Sequence, residues 1–359
     1  MNRFARRTPG LLLALLLLLA AACTRPRSEG ERYEIMVLAD STRHAALAPV
    51  LDSLFADQWM TLLPESRLAW RWADPAQLDL YLSRRNLLIA VDGPAEGPVG
   101  RFLENLLGAG VQDRIRKEEA FLFRKPEAFA RDQLLLILAA PTPESFQRQA
   151  LERTAEVRAQ FLEHEQAAER EGYRSARLQK ALEDSLALAC GFRLSIPPDW
   201  FVVQGVEQPP FIRLRRLNPD RWITVHWSEG PDSLRLTEEG LRTVRTRLGR
   251  LFWDKDFPEA GHSRFSTVRI NGLEATLLEG IWGTDAYVGG GPFLLYAVHV
   301  PGAAGLPQGR TFYIDAAVLN PGGPKSPFLH QLSQLVATFA GTDAEGKAIG
   351  PLQPEELEE

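Results

Sequence analysis

Cysteine is the scarcest informative residue: the 359 positions hold two, Cys23 and Cys190. Cys23 has a separate use, set out below, so no structural disulfide is expected to stabilise the fold. No Cys-x-x-Cys occurs. None of the six histidines (His44, His164, His226, His262, His299, His330) has a partner at the i, i+4 spacing of a helical zinc site. No metal or other cofactor is therefore expected. The Gly-x-Ser-x-Gly elbow of α/β-hydrolases is missing. Gly289-Gly290-Gly291-Pro292 lacks the Lys and Ser/Thr of a phosphate-binding loop, and a strand rather than a helix is expected after it. Positive charge is also short: the net charge is −5 and becomes −8 once Arg3, Arg6 and Arg7 are removed with the leader. That balance does not suggest a nucleic-acid binder, which should show a basic surface. The one strongly apolar run, Leu11 to Leu19, is too short for a membrane span, which needs about 20 residues.

The N-terminus carries the most specific signal. Met1-Asn2-Arg3-Phe4-Ala5-Arg6-Arg7 is a positive n-region, Leu11–Leu19 an apolar h-region, and Ala20-Ala21-Ala22-Cys23 a small-residue cleavage site. A cysteine directly after small residues is where lipoprotein processing cuts and acylates. The pattern has Ala20 where that motif prefers Leu. Residues 1–22 are expected to be a lipoprotein signal peptide, with acylated Cys23 the membrane-lipid contact. Several acyl chains hold firmly, because each buried methylene adds about 0.8 kcal/mol. Thr24 stands where an Asp would resemble an inner-membrane retention signal. The expected location is the outer membrane, facing the periplasm. Residues 23–32, short and polar, are expected to form a flexible tether.

The mature chain predicts an α+β protein of two α/β sandwich domains joined by a long helix. In residues 33–141, Ile35-Met36-Val37-Leu38 and Leu87 to Val91 read as buried strands. Leu68, Trp70 and Trp72 alternate with polar neighbours, and Phe102, Leu103, Leu106 and Leu107 line a helix. Residues 142–190 form a helical segment with sparse apolar points at Phe146, Ala150, Val157 and Phe161 and an expected break near Gly172-Tyr173. Residues 191–341 alternate with period two in several stretches. Asn271-Gly272 marks a type I′ hairpin, Thr237 an N-cap, and Leu241, Val244, Leu248 and Leu251 a helix stripe. An antiparallel sheet with packed helices fits that order. The acidic residues 342–359 read as a disordered tail.

The phrase Gly191-Phe192-Arg193-Leu194-Ser195-Ile196-Pro197-Pro198-Asp199-Trp200, with the Asn271-Gly272 hairpin, resembles the PsbP-like fold. That likeness implies a fold and no function. Four further stretches resemble an uncharacterised lipoprotein family of Bacteroidetes-type bacteria (domain of unknown function four-eight-three-seven). They are Arg85 to Ile89, Phe129 to Gln133, Phe192 to Pro197, and Gly280-Ile281-Trp282 with Gly291-Pro292-Phe293 and Tyr296. Asp132 departs from the Pro common in that family. The resemblance implies a membrane-tethered envelope protein and no reaction.

Candidate chemistry is thin. Trp282, Gly291, Phe293 and Tyr296 on neighbouring strands would line an apolar ligand pocket or fill a core. The glycines before Pro292 would make a wide turn with positive φ, or bare backbone for a ligand. His226 and His299 are placed in one sheet. Glu183-Asp184 and Asp254 with Asp256 read as solvated charge. Cys190 reads as a buried, inert thiol. The expected function is non-enzymatic binding of a partner protein or apolar ligand at the envelope. The alternative is an envelope hydrolase acting on glycan or peptide, whose carboxylates need not be adjacent in sequence.

Overall fold

The computed structural model describes residues 25–349 except 95, 176, 208–209, 254 and 303–307. The leader, Cys23 and most of the acidic tail lie outside the described residues. The chain forms two compact units, Met1–Phe55 with Leu68–His164, and Ala56–Arg67 with Glu165–Glu359. The sequence placed one boundary near residue 141 and left 56–67 in the first domain. The structure moves both, because the side chains of 56–67 find their partners in the second unit.

The first unit is built on a five-stranded sheet. Its strands are β1 (Glu34–Leu38), β4 (Ala69–Trp72), β5 (Asn86–Asp92), β6 (Leu122–Pro126) and β7 (Leu134–Ala140), in the order β4-β1-β5-β7-β6. The first four are parallel and β6 runs antiparallel to β7. The intervening strands β2 (Gln58–Trp59) and β3 (Glu65–Ser66) are a short hairpin of the second unit. Parallel strands need cover on both faces, so β7 reads Leu-Leu-Leu-Ile-Leu-Ala-Ala and is buried throughout. One face packs on α1 (His44–Leu54) and, beyond short α2 (Leu78–Tyr81), the other packs on α3 (Pro98–Leu106) and α4 (Ala109–Arg116). Phe146 and Ala150 of α5 (Pro143–Glu152), with Val157 and Phe161 of α6 (Thr154–Ser175), complete the α1 face. The sparse apolar points in this helical segment are thus fully buried. The segment breaks at Arg153 and again before α7 (Lys180–Cys190), whereas Gly172 and Tyr173 lie inside α6.

The expected tether is not free along its length. Pro26 accepts from Arg131 N at 2.8 Å, Ser28 N donates to Arg131 O at 2.9 Å, Glu29 N donates to Ser83 O at 2.9 Å, and Arg85 N donates to Glu29 O at 2.8 Å. Backbone pairing therefore pins residues 26–29 to the first unit.

The second unit holds β8 (Phe192–Arg193), β9 (Phe201–Glu207), β10 (Pro210–Arg216), β11 (Asp220–Glu229), β12 (Asp256–Ile270), β13 (Leu273–Thr284), β14 (Gly290–Val300) and β15 (Arg310–Leu319). The last seven form one antiparallel sheet in the order β12-β13-β14-β15-β11-β10-β9. The sequence missed β9, an edge strand without clear alternation, and the first half of β12, which is bulged between Pro258 and Ser263. Asn271 and Gly272 turn the β12–β13 hairpin with φ of 46° and 77°, the double positive φ of a type I′ turn.

Alternation divides the sheet's two faces. Ile223, Val225, Leu294, Tyr296, Ile314 and Ala316 point to one, which packs on α9 (Ser326–Val336) through Leu329, Leu332 and Val336. Trp222, Leu278, Trp282, Phe293, Leu295 and Tyr313 point to the other, which packs on α8 (Glu238–Phe252) through Leu241, Val244 and Leu248. Thr237 caps α8 by accepting from Gly240 N, as expected. Leu251 is 57% exposed and drops out of the stripe. The tail begins later than expected: β16 (Ala340–Thr342) pairs with β8 and with β17 (Ala348–Ile349).

The Gln58–Ser66 hairpin is fixed to the second unit by specific bonds. The Glu65 carboxylate accepts from Lys325 N at 2.7 Å and Ser326 N at 2.6 Å, capping α9 in place of a local side chain. Trp59 Nε1 donates to Ser326 Oγ at 3.1 Å, and His330 Nε2 donates to Arg67 O at 2.8 Å.

Candidate functional site

The residues singled out from sequence do not form a pocket. Phe293 and Tyr296 are three positions apart on one strand, so period-two alternation sends them to opposite faces. Phe293 packs with Trp282 beneath α8, while Tyr296 packs with Leu277 and Val298 on the α9 face. Trp282 is 1% exposed and Phe293 fully buried. Burial, with Glu279 beside it, pushes the Tyr296 hydroxyl pKa above its ordinary value. Gly291 pairs with Trp282 across the β13–β14 ladder. A Cβ there would sit 2.3 Å from Val318 O and 3.3 Å from Trp282 Nε1, so the missing side chain admits backbone and indole, not a ligand. Gly290 and Gly291 open β14 and pair with Gly283 and Trp282 rather than forming the expected turn, and close approach, not positive φ, sets them. Cys23 lies outside the described residues.

Beneath α8 the sheet carries a sealed layer of charge that the sequence did not disclose. Arg245 is fully buried and donates to Asp256 from two nitrogens, at 2.7 and 3.1 Å. Its Nε lies 3.3 Å from Asp315 Oδ2 without an aligned hydrogen bond. Its guanidinium covers the rings of Phe293 at 4.6 Å and Trp253 at 5.0 Å. Burial pushes the Asp315 carboxyl pKa up to about 6 against the pull of Arg245. Burial also lowers the neighbouring Arg213 pKa. Asp256, expected to be solvated, belongs to this layer. Glu183 is buried too and accepts from Ile196 N at 2.8 Å. On the α9 face, Glu279 is gripped by Arg67 and Arg264.

Among the described residues no group of three or more His, Cys, Asp or Glu is arranged to hold a metal ion. His226 and His299 do share one sheet, separated by β15. His226 Nδ1 lies 2.7 Å from Pro210 O and His299 Nδ1 lies 3.2 Å from Thr311 Oγ1. Cys190 is half-buried against the core, and burial raises its thiol pKa, which keeps it a poor nucleophile.

The first unit holds an open site. In a parallel α/β sheet, ligands bind outside the carboxyl ends of the strands, where the strand order reverses direction. Here the order reverses between β1 and β5, and a cleft of about 410 Å³ lies beside that point at the same carboxyl edge, by the ends of β5 and β7. Val91, Leu103, Leu107, Ile115 and Ala139 make its apolar lining, with Glu104, Gln112 and Arg116 among the polar residues around it. A smaller recess of about 180 Å³ adjoins it through Val91, Gly93 and Pro94 and is polar, with Asp40, Arg43, Asp92 and Glu96.

Three of the charges in that recess are already bonded within it. Arg43 makes a two-point ion pair with Asp92, at 2.9 and 2.7 Å, and this pairing raises the Arg43 pKa. Asp40 accepts from Val99 N at 2.9 Å and Gly100 N at 3.3 Å, filling the helix N-terminus where an anion would otherwise bind. Gly97 allows this: a Cβ there would lie 2.1 Å from the Asp40 carboxylate carbon. The sequence carried a signal for this edge, since Asp40 and Asp92-Gly93-Pro94 each follow an apolar strand. Neither was singled out.

No protein-family model matches the chain, and no curated protein is similar to it. Solved structures do match. LpqN, involved in cell envelope biogenesis of Mycobacterium tuberculosis, is 15% identical; the match covers 42% of this chain and 83% of LpqN, with a TM-score of 0.29. The lipid transfer and protein localization domain of human StarD13 (DLC2) is also 15% identical, covering 43% of this chain and 90% of that domain, with a TM-score of 0.19. At these scores neither likeness carries a function to this chain. Among the described residues no helix is long and apolar enough to cross a membrane.

Proposed function

We propose that the chain is a lipid-anchored protein of the cell envelope, held to the outer membrane by acylated Cys23, that binds a small apolar ligand in the first unit's cleft. The leader pattern and Cys23 support the anchoring. The observation that carries the binding is the cleft itself: about 410 Å³ of mostly apolar lining at the carboxyl edge of a parallel sheet, beside a polar recess. Ligand sites are commonly about 300–1,000 Å³, apolar, with a few polar groups fixing orientation. Binding without turnover is favoured because Asp40 and Asp92 spend their oxygens on Val99, Gly100 and Arg43.

The test is native mass spectrometry of the chain purified from its own envelope. A small apolar molecule should be retained, and Ile115→Trp, which fills the cleft from a half-buried position, should release it without lowering the melting temperature. A wild-type chain that carries no small molecule and binds no apolar fluorescent dye would overturn the ligand reading. Turnover of a cell-wall substrate, lost on Asp92→Asn, would overturn the non-enzymatic one.

A further inference from the structure

The pinned segment and the cleft lie at opposite ends of one sheet. Residues 26–29 pair with Ser83, Arg85 and Arg131. Arg85 immediately precedes β5 and Arg131 shortly precedes β7, so this segment runs along the amino ends of the parallel strands. The cleft and its recess sit at the carboxyl ends of those strands, around Val91 to Pro94 and Ala139 to Pro141. A seven-residue strand separates the two edges by about 20 Å. Only Thr24 and Arg25 stand between Cys23 and pinned Pro26. Fully extended, that stretch spans at most about 11 Å.

From this we infer that the amino edge of the first unit's sheet rests against the phospholipid headgroups and that the cleft lies on the side away from that bilayer. The inference rests on the acylation of Cys23 proposed above. Arg25, Arg27 and Arg131 are exposed at this edge and are the groups that meet lipid phosphates; Arg27 also bridges to Asp132 at 3.3 Å. Arg27, Glu29, Arg131 and Asp132 bring both signs to the same surface. That mixture suits a headgroup layer, which presents phosphates and amines together. The consequence is directional: a ligand reaches the cleft from the aqueous compartment and is not drawn from the bilayer that holds the anchor.

The experiment uses the full acylated chain, with acylation checked by intact mass, in vesicles of phosphatidylethanolamine and phosphatidylglycerol containing a headgroup spin-labelled lipid. A fluorophore is placed by Glu29→Cys at the amino edge or by Glu96→Cys at the cleft edge, each with Cys190→Ser. Quenching should be several-fold stronger at position 29, with position 96 near background. Inserting six Gly/Ser residues between Thr24 and Arg25 should remove more than half of the quenching at position 29. Equal quenching at both sites in acylated protein, or quenching untouched by the insertion, would overturn the orientation alone. A mass showing Cys23 unacylated would instead overturn the anchoring on which it rests.

Discussion

The two sheets of this protein handle burial in opposite ways. The first unit's parallel strands are apolar on both faces, helices cover both, and the polar groups gather at the strand ends, where a cleft stays open. The second unit's antiparallel sheet buries charge on both faces, Glu279 with Arg67 and Arg264 on the α9 face and Arg245, Asp256 and Asp315 on the α8 face. The aromatic and glycine-rich stretch that looked most like a site lies in this second, closed sheet. Aromatic density there reports packing, because large rings fill the layer and cover the buried guanidinium. Access is better reported by where parallel strands end.

The comparison is broken most severely by Arg245→Met. Removing one member of a buried ion cluster leaves Asp256 and Asp315 uncompensated, at a cost of about 3–5 kcal/mol. Denaturant melts followed by hydrogen exchange should show the loss in the second unit's strands, with β5 and β7 of the first unit unchanged. Replacing all three charged residues by apolar ones should restore most of the stability.

Gly291→Ala comes next. The new methyl meets the Val318 carbonyl, so about 1–3 kcal/mol of overpacking is expected, seen as a lower melting temperature with intact binding in the first unit. Ligand loss on this substitution would move the binding site back to the second unit.

Acid sharpens the contrast. Burial lowers the His330 pKa from 6.5 to about 3, so the imidazole stays neutral in the fold while the unfolded chain takes up a proton. Its contribution is present above pH 6.5 and is lost as the pH falls toward 3, at up to about 1.4 kcal/mol per pH unit. Asp315 has the opposite sign, its raised pKa favouring the fold as the pH falls from about 6 to 3.8. Thermal melts of His330→Gln against wild type isolate the first term. The variant should gain relative stability below pH 6.5, and an unchanged difference between pH 7 and pH 5 would contradict the burial of the neutral ring.

The smallest effect is Glu65→Ala, which removes the cap of α9 and should cost about 1 kcal/mol. The loss should appear in the second unit, although the residue lies between two first-unit strands in sequence.

Period two and period 3.6 were enough to read most strands and helices, the type I′ turn at Asn271-Gly272 and the Thr237 cap. These depend on residues within a few positions of each other. The same alternation, applied to Phe293 and Tyr296, would have ruled out a shared pocket. Edge strand β9 was not legible because its apolar residues do not alternate. The Gln58–Ser66 hairpin was assigned to the wrong unit because its partners, Lys325 and Ser326, are more than 250 positions away. The cleft was invisible for a related reason: Val91, Leu103, Ile115 and Ala139 are ordinary apolar residues until the sheet order brings them round one opening.

The sequence by itself determined the leader pattern ending at Cys23, the α+β composition of the two units, and the lack of motifs for metal or serine chemistry, since each is a matter of local residue type and spacing. Only the tertiary structure decided that residues 26–29 are pinned rather than loose, that Arg245, Asp256 and Asp315 share one sealed layer, and that the open cleft belongs to the first unit. Those facts depend on which distant backbones pair and which strand ends are left uncovered, and contacts across a hundred residues leave no period in the chain to read.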